Sequence, residues 1–272
     1  MAVQGAGAVG TAATMPGGVM TVEKVDYDDR QHAVYAQGRA VSPARIAAWM
    51  KVFAGHAPAR RPLAVLDLGS GTGRFTPALA RTFCGPVYGV EPSQRMRQVA
   101  EQSSAHPAVT YLAGSAERIP LAADSCDVVL MYLVFHHVRD PAAAAADIAR
   151  VLRPEGRVLI RSTFADRMPD LWWHRFFRRA AEIEKEMFPT VGQVEQAFSP
   201  AGLKILALEP VSERFAGSMT EGAARLRLRA ISTFEYLTEQ ETAQGFAALD
   251  AAVAAETSPQ PVEGVSDLLV LG

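Results

Sequence analysis

The run Asp67-Leu68-Gly69-Ser70-Gly71-Thr72-Gly73 constrains this chain more than any other feature, because of what lies on either side of it. Leu63–Leu68 is a short apolar run and reads as a strand. Phe75, Leu79 and Phe83 recur every four residues and mark one face of a helix. A glycine-rich turn between a strand and a helix lets the backbone come close to a ligand. The spacing is G-x-G-x-G, not the G-x-G-x-x-G of dinucleotide loops. Asp67 ends the strand beside the turn. Its charge opposes a bound pyrophosphate and favours a ligand that carries positive charge. A plain turn with an N-capping acid is the simpler reading of the same residues.

The segments that follow keep an alternating rhythm. Val87–Glu91, Val109–Ser115, Cys126–Val134 and Arg157–Thr163 read as further strands. Ser93 caps a helix that turns Met96, Val99 and Ala100 inward. Asp140-Pro141 is a helix start, with Asp as cap and Pro in the first turn. That helix runs through Ile148, Val151 and Leu152 and stops at the turn Arg153–Gly156. Such alternation predicts an α/β fold with a parallel sheet covered on both faces. Glu91 ends the second strand, where an acid can accept hydrogen bonds from both hydroxyls of a ribose. It reads equally as an ordinary strand-end carboxylate.

Beyond residue 164 the rhythm changes. Trp172, Trp173, Phe176, Phe177, Ala180, Ile183 and Met187 form an apolar stripe at helical spacing. A second helix covers Val191–Ala201 and ends at Gly202. Leu203–Val211 and Val265–Leu271 read as the last two strands. Between them lies a helical insert over residues 217–258. The stripe reads as a lid over an acceptor pocket or as a helix fixed to the core. Arg225, Arg227 and Arg229 read as a solvated helix face.

Composition limits the function. The chain has 272 residues, 49% of them apolar, and a formal net charge of -2. That suits one domain with a sizeable core and argues against a nucleic-acid-binding surface. Cys84 and Cys126 are too few for a disulfide framework and lack metal-ligand spacing, so no metal is expected. With no membrane-spanning stretch, a cytoplasmic setting fits. Residues 1–20 carry no charged side chain and lack the pattern of a secretion signal. They are expected to be a flexible leader to one domain over 21–272.

From Val65 to about Phe164 the chain resembles the class I S-adenosylmethionine-dependent methyltransferases. Within them it is similar to the small-molecule branch that includes ubiquinone-biosynthesis and natural-product enzymes. VLDLGSGTGRF, YGVEPSQRM, GSAERIPLAADSCDVVLMYLVFHHV and RVLRPEGRVLI match the family's motifs in order. The resemblance implies a Rossmann-like seven-stranded sheet, ordered 3-2-1-4-5-7-6, with helices on both faces and a helical cap. It implies N-terminal lid helices over 21–60, a cofactor-binding core over 61–164 and lid helices over 165–200. S-adenosylmethionine brings an ammonium and a sulfonium to the acid beside the loop, and S-adenosylhomocysteine would be the by-product.

The implied cofactor residues are Asp67, Gly69, Gly71, Gly73, Glu91, Met96, Ser115, Ala116, Glu117 and Met131. Tyr35 and Arg39 would close over the cofactor from the amino-terminal segment, with Arg39 pairing the methionine carboxylate; Arg39 reads equally as a surface arginine on an amphipathic helix. Tyr27, Trp172 and Phe176 are the implied acceptor contacts. Many relatives carry Asp where this chain has Ser115. A hydroxyl accepts less strongly from the adenine amino group than a carboxylate does, and Glu117 is the other acceptor for it. His136 is the expected base if the acceptor must lose a proton; both His136 and His137 also fit a structural role. The expected activity is methyl transfer to a small aromatic or heteroaromatic acceptor. A non-catalytic protein that binds the cofactor and acts as a partner is the other reading.

Overall fold

A computed structural model describes residues 41–272. Tyr27, Tyr35, Arg39 and the leader lie outside the described residues. Seven strands form one sheet: β1 Val65–Leu68, β2 Val87–Glu91, β3 Val109–Ala113, β4 Cys126–Tyr132, β5 Leu152–Ser162, β6 Ile205–Ala216 and β7 Val262–Leu271. Their order is β3-β2-β1-β4-β5-β7-β6. The first five are parallel, and β7 runs antiparallel between β5 and β6. This is the expected order.

The helices are α1 Pro43–His56, α2 Thr76–Phe83, α3 Gln94–Ser103, α4 Pro141–Val151, α5 Arg178–Met187, α6 Val191–Phe198, α7 Met219–Arg227 and α8 Glu239–Ala255. Local chemistry sets their starts. Ser42, Ser93, Asp140 and Ser218 each accept a backbone N–H through the side chain at the N-cap of α1, α3, α4 and α7. Thr190 and Thr238 close capping boxes with Gln193 and Glu241.

Alternation along the strands divides the apolar side chains between two faces. Leu66, Leu68, Val129 and Met131 face α4 and α6, whose Ile148, Val194 and Phe198 are fully buried against them. Val65, Val128, Leu130 and Leu159 face the other way, against Trp49 and Phe53 of α1 and Leu79 and Phe83 of α2. Of the stretch 165–200, α6 therefore belongs to the sheet's own core. A third apolar cluster forms the cap and draws Trp173, Phe177, Ala180, Leu226, Phe234 and Leu249 together. Ring contacts run through it, with Trp173 stacked on Phe234 at 5.6 Å.

Two local expectations need correction. The stripe of residues 172–187 is not one helix, because α5 begins only at Arg178. Residues 171–177 are turns closed by bonds such as His174 N–H to Leu171 C=O and Phe176 N–H to Trp173 C=O. Trp173 and Phe177 still enter the same cap cluster from these turns. The fifth strand starts at Leu152, before the expected turn. Leu152 pairs with Cys126, the ladder shifts, and Arg157 resumes opposite Val128. Glu155, in the excursion between, has φ +64°.

Candidate active site

The glycine loop leaves the carboxyl end of β1, where open α/β sheets place their ligands. Gly69, Gly71 and Gly73 have φ of +71°, +55° and +75°. A Cβ on Gly69 would stand 2.5 Å from Val134, and one on Gly73 would stand 2.3 Å from the Tyr111 hydroxyl. Side chains are therefore excluded twice, by backbone angle and by space. Gly69 N–H donates to Val90 C=O at 2.7 Å, which ties the loop to β2.

Two buried acids flank this loop. Asp67 is 3% exposed and accepts from Thr76 Oγ1 at 2.6 Å. Burial pushes its carboxyl up to about 6, against the opposing pull of the Thr76 hydrogen bond and the Arg74 charge. Glu91 accepts from Gly71 N–H and from Ser93 N–H, each at 3.0 Å. It therefore links the loop to the cap of α3. The Ser70 hydroxyl is buried beside these groups with no hydrogen-bond partner among the described residues. A ligand with several polar groups would satisfy such a site.

The remaining expected cofactor residues are placed as follows. Met96 is buried in α3. Ser115 bridges to Arg118 just beyond β3, and Ala116 is buried beside it. Glu117 accepts from the backbone N–H of Arg139 at 2.9 Å and of Asp140 at 3.4 Å. Burial opposes ionisation of Glu117, but the Ser115 hydroxyl and these amides hold its carboxyl below the usual range. Its carboxylate is thus engaged with the entry to α4. Met131 has no exposed surface. Alternation along β4 sends it to the α4 and α6 side, where it packs in the sheet's core.

A cavity of about 190 Å³ opens next to β4 and reaches under the cap. His136 lies in the 3-10 turn Phe135–His137 after β4 and lines the cavity together with His137. The His136 ring stands 3.9 Å from His137 and 4.5 Å from Phe188, centroid to centroid. Trp172 lines the cavity as well, while Phe176 is not among its lining residues. A Cβ on Gly222 would come within 2.8 Å of the Trp172 ring, so α7 supports the indole closely. Phe176 instead stacks under the Arg175 guanidinium, 4.7 Å from ring centroid to Cζ.

Among the cavity residues that sequence reasoning missed are two buried charged ones, Arg161 and Glu184. Arg161 on β5 is buried, and its Nη2 donates to Glu213 of β6 and to Ser266 of β7. Glu213 also accepts from Arg45 and from Trp49 Nε1. Burial pushes the Glu213 carboxyl up, but Arg161 and Arg45 outweigh it and hold the group well below the usual carboxylate range. Glu184 on α5 is 3% exposed, accepts from Thr233 Oγ1 at 2.8 Å and meets His174 Nε2 at 3.1 Å. Both signals were faint in the sequence. Arg161 follows an apolar strand run, and Glu184 sits within a charged helical stretch.

Comparison with known proteins identifies the core. Residues 66–160 match a family described as a methyltransferase domain. These residues are similar to a methyltransferase domain, and the sheet that holds them has the strand order of the Rossmann-like methyltransferase fold. An uncharacterised methyltransferase of Mycobacterium tuberculosis is 40% identical over 135 residues, 49% of this chain and 51% of the relative. The chain therefore spans about half the length of this curated relative. Among solved structures, a protein assigned as a methyltransferase of an antibiotic biosynthesis pathway in Anabaena variabilis shares the fold. Its TM-score is 0.65 at 19% identity, covering 84% of this chain and 99% of that one. The 4+2 cyclase SpnF shares it too, with a TM-score of 0.55 at 17% identity over 86% of this chain and 84% of that one. The matched segment thus ends inside β5, one residue before Arg161, and the cap lies outside it. No helix among the described residues is long and apolar enough to cross a membrane.

Proposed function

We infer that this protein transfers a methyl group from S-adenosylmethionine to a small, aromatic or heteroaromatic acceptor. One observation carries the reading. Two buried acids at the ends of neighbouring parallel strands bracket a loop of three left-handed glycines, next to a cavity walled by aromatic rings and histidines. The donor set fits the cofactor. Asp67 and Glu91 offer carboxylates to a cationic, hydroxyl-bearing molecule, the loop admits it without side-chain interference, and the buried Ser70 hydroxyl lacks a partner. When bound, S-adenosylmethionine supplies a methyl carbon already activated by its sulfonium.

The chain's own task is then mostly placement. Holding the reactants with their translational and rotational freedom already lost can remove a large part of the barrier to an in-line displacement. The Trp172 ring, held over Gly222, and the His136 and Phe188 rings give a planar acceptor flat walls. If the methylated atom is a hydroxyl oxygen, His136 is the group to accept its proton. The reading extends to Arg39 and Tyr35 as cofactor contacts and to Tyr27 as an acceptor contact. It takes the acceptor to be a small molecule, not nucleic acid or membrane, and the setting to be cytoplasmic.

The test is direct. Calorimetric titration should show S-adenosylhomocysteine binding, and labelled methyl should pass from S-adenosylmethionine to one of a panel of phenols, indoles and heteroaromatic acids. Binding without transfer to any member supports the alternative of a non-catalytic cofactor-binding partner. The shared fold of a cyclase shows why turnover, not fold, must decide.

Two substitutions test the acceptor side. Trp172→Ala should raise the acceptor KM roughly tenfold, on the order of one lost aromatic contact, and leave cofactor affinity unchanged. Phe176→Ala should leave that KM within about twofold. Equal effects of the two would remove the cavity from the acceptor site. For a hydroxyl acceptor, His136→Asn should lower kcat about a hundredfold and flatten the rise of rate with pH near neutrality. An unchanged profile would assign the ring a packing role against His137 and Phe188.

A further inference from the structure

We propose that the acceptor is an acid, and that its carboxylate or comparable anion docks on the sheet side of the cavity at Arg161. The proposal rests on the methyl-transfer reading for the identity of the cavity and on separate observations for the charge. Arg45, Arg161 and Arg225 line the cavity, against one lining carboxylate among the described residues, Glu184. The half-buried Arg45 and the buried Arg161 share one carboxylate, Glu213, which leaves the pair one positive charge in excess among the described residues. A buried charge without full compensation is costly and calls for a ligand or a role.

The hydrogen-bond inventory points the same way. Arg161 is 4% exposed, and its bonds to Glu213 and Ser266 both leave from Nη2. Its Nε–H is buried with no acceptor among the described residues. A guanidinium offers five donors in a fixed fork, and an oxyanion is the ligand that engages such a fork. Arg225 is the less available cation, since Glu221 and the Phe215 carbonyl hold it.

Glu184 sets the orientation. It stands in the cap, fixed by Thr233 and His174, and it repels an anion from that side. The acid group is therefore directed to the sheet, with the aromatic body between Trp172 and the rings of His136 and Phe188. The same polarity discriminates against amine-bearing aromatics at the Arg161 end.

Matched ligands test this without altering the fold. The probes are 4-hydroxybenzoate against 4-hydroxybenzamide, and indole-3-carboxylate against indole-3-carboxamide, titrated into the wild-type protein with saturating S-adenosylhomocysteine. Each acid is expected to bind about tenfold tighter than its amide, or more, the worth of one charge-assisted contact. Arg161→Gln should bring each pair to within about twofold while S-adenosylhomocysteine still binds, which reports an intact fold. Equal affinity within both pairs, tighter amides, or no acid binding up to millimolar concentration overturns the proposal. Failure of S-adenosylhomocysteine to bind overturns the methyl-transfer reading instead, and the acid–amide comparison on wild-type protein still decides the anion site.

Discussion

Glu213→Ala is expected to lower the melting temperature by roughly 10 °C at pH 7. Glu213 accepts from residues on α1, β5 and β7 at once: Arg45 and Trp49, Arg161, and Ser266. Removing it strands the buried Arg161 guanidinium, and breaking a buried ion pair from one side costs about 3–5 kcal/mol. In a domain of this size each kcal/mol shifts the midpoint by about 2–4 °C. The pH dependence follows from the lowered carboxyl. A depressed acid contributes stability above its unfolded value, and that stability is lost as pH falls through the folded value. The gap between wild type and Glu213→Ala should therefore narrow on acidification from pH 5 toward about pH 2. Differential scanning calorimetry showing both proteins within a few degrees at pH 7 would mean that water replaces the network.

Asp67→Asn should act in the opposite sense on the unliganded protein. Burial raises the Asp67 carboxyl from 3.8 to about 6. A raised acid contributes stability that is complete below the unfolded value and is lost as pH rises through the folded one. At pH 8 the wild type therefore carries a buried anion that costs about 3 kcal/mol. Asn should recover most of that, since its side-chain oxygen can still accept from Thr76. The stability advantage of the variant should fade on going down to pH 4. Cofactor affinity should move the other way and fall by at least about tenfold, the worth of one charge-assisted interaction. Wild-type affinity should itself weaken below about pH 6, as protonation removes the charge that attracts a cation. A variant that is no more stable at pH 8, or that binds S-adenosylhomocysteine normally, contradicts this account of Asp67.

The sheet was legible in the sequence because its signals are local. Alternating apolar runs, the glycines and the Asp140-Pro141 start depend on neighbours a few residues away, and all reappear in place. The cap was less legible. The stripe from Trp172 to Met187 satisfies a helical period, but its aromatic residues pack against Phe234 and Phe246, far along the chain. Non-local packing broke the first part of the helix into turns. The pairing of Arg161 with Glu213 was hidden for the same reason. They are 52 residues apart, and only the antiparallel return of β7 between β5 and β6 brings them together. Glu117 carried a plausible motif position, but the entry to α4 claims its carboxylate.

The cap has an apolar cluster of its own, apart from the two that fill the faces of the sheet. Substitutions in separate clusters add without interfering, whereas those within one cluster couple. The cavity wall made by Trp172, Leu226 and Ile231 can therefore be reshaped at the expense of the cap alone. A protein engineer seeking a new acceptor has, in residues 171–187 and 219–237, a region where losses stay confined and the glycine loop keeps its shape. Compensating changes would also be found nearby, around Phe177, Phe234 and Leu249, instead of throughout the sheet.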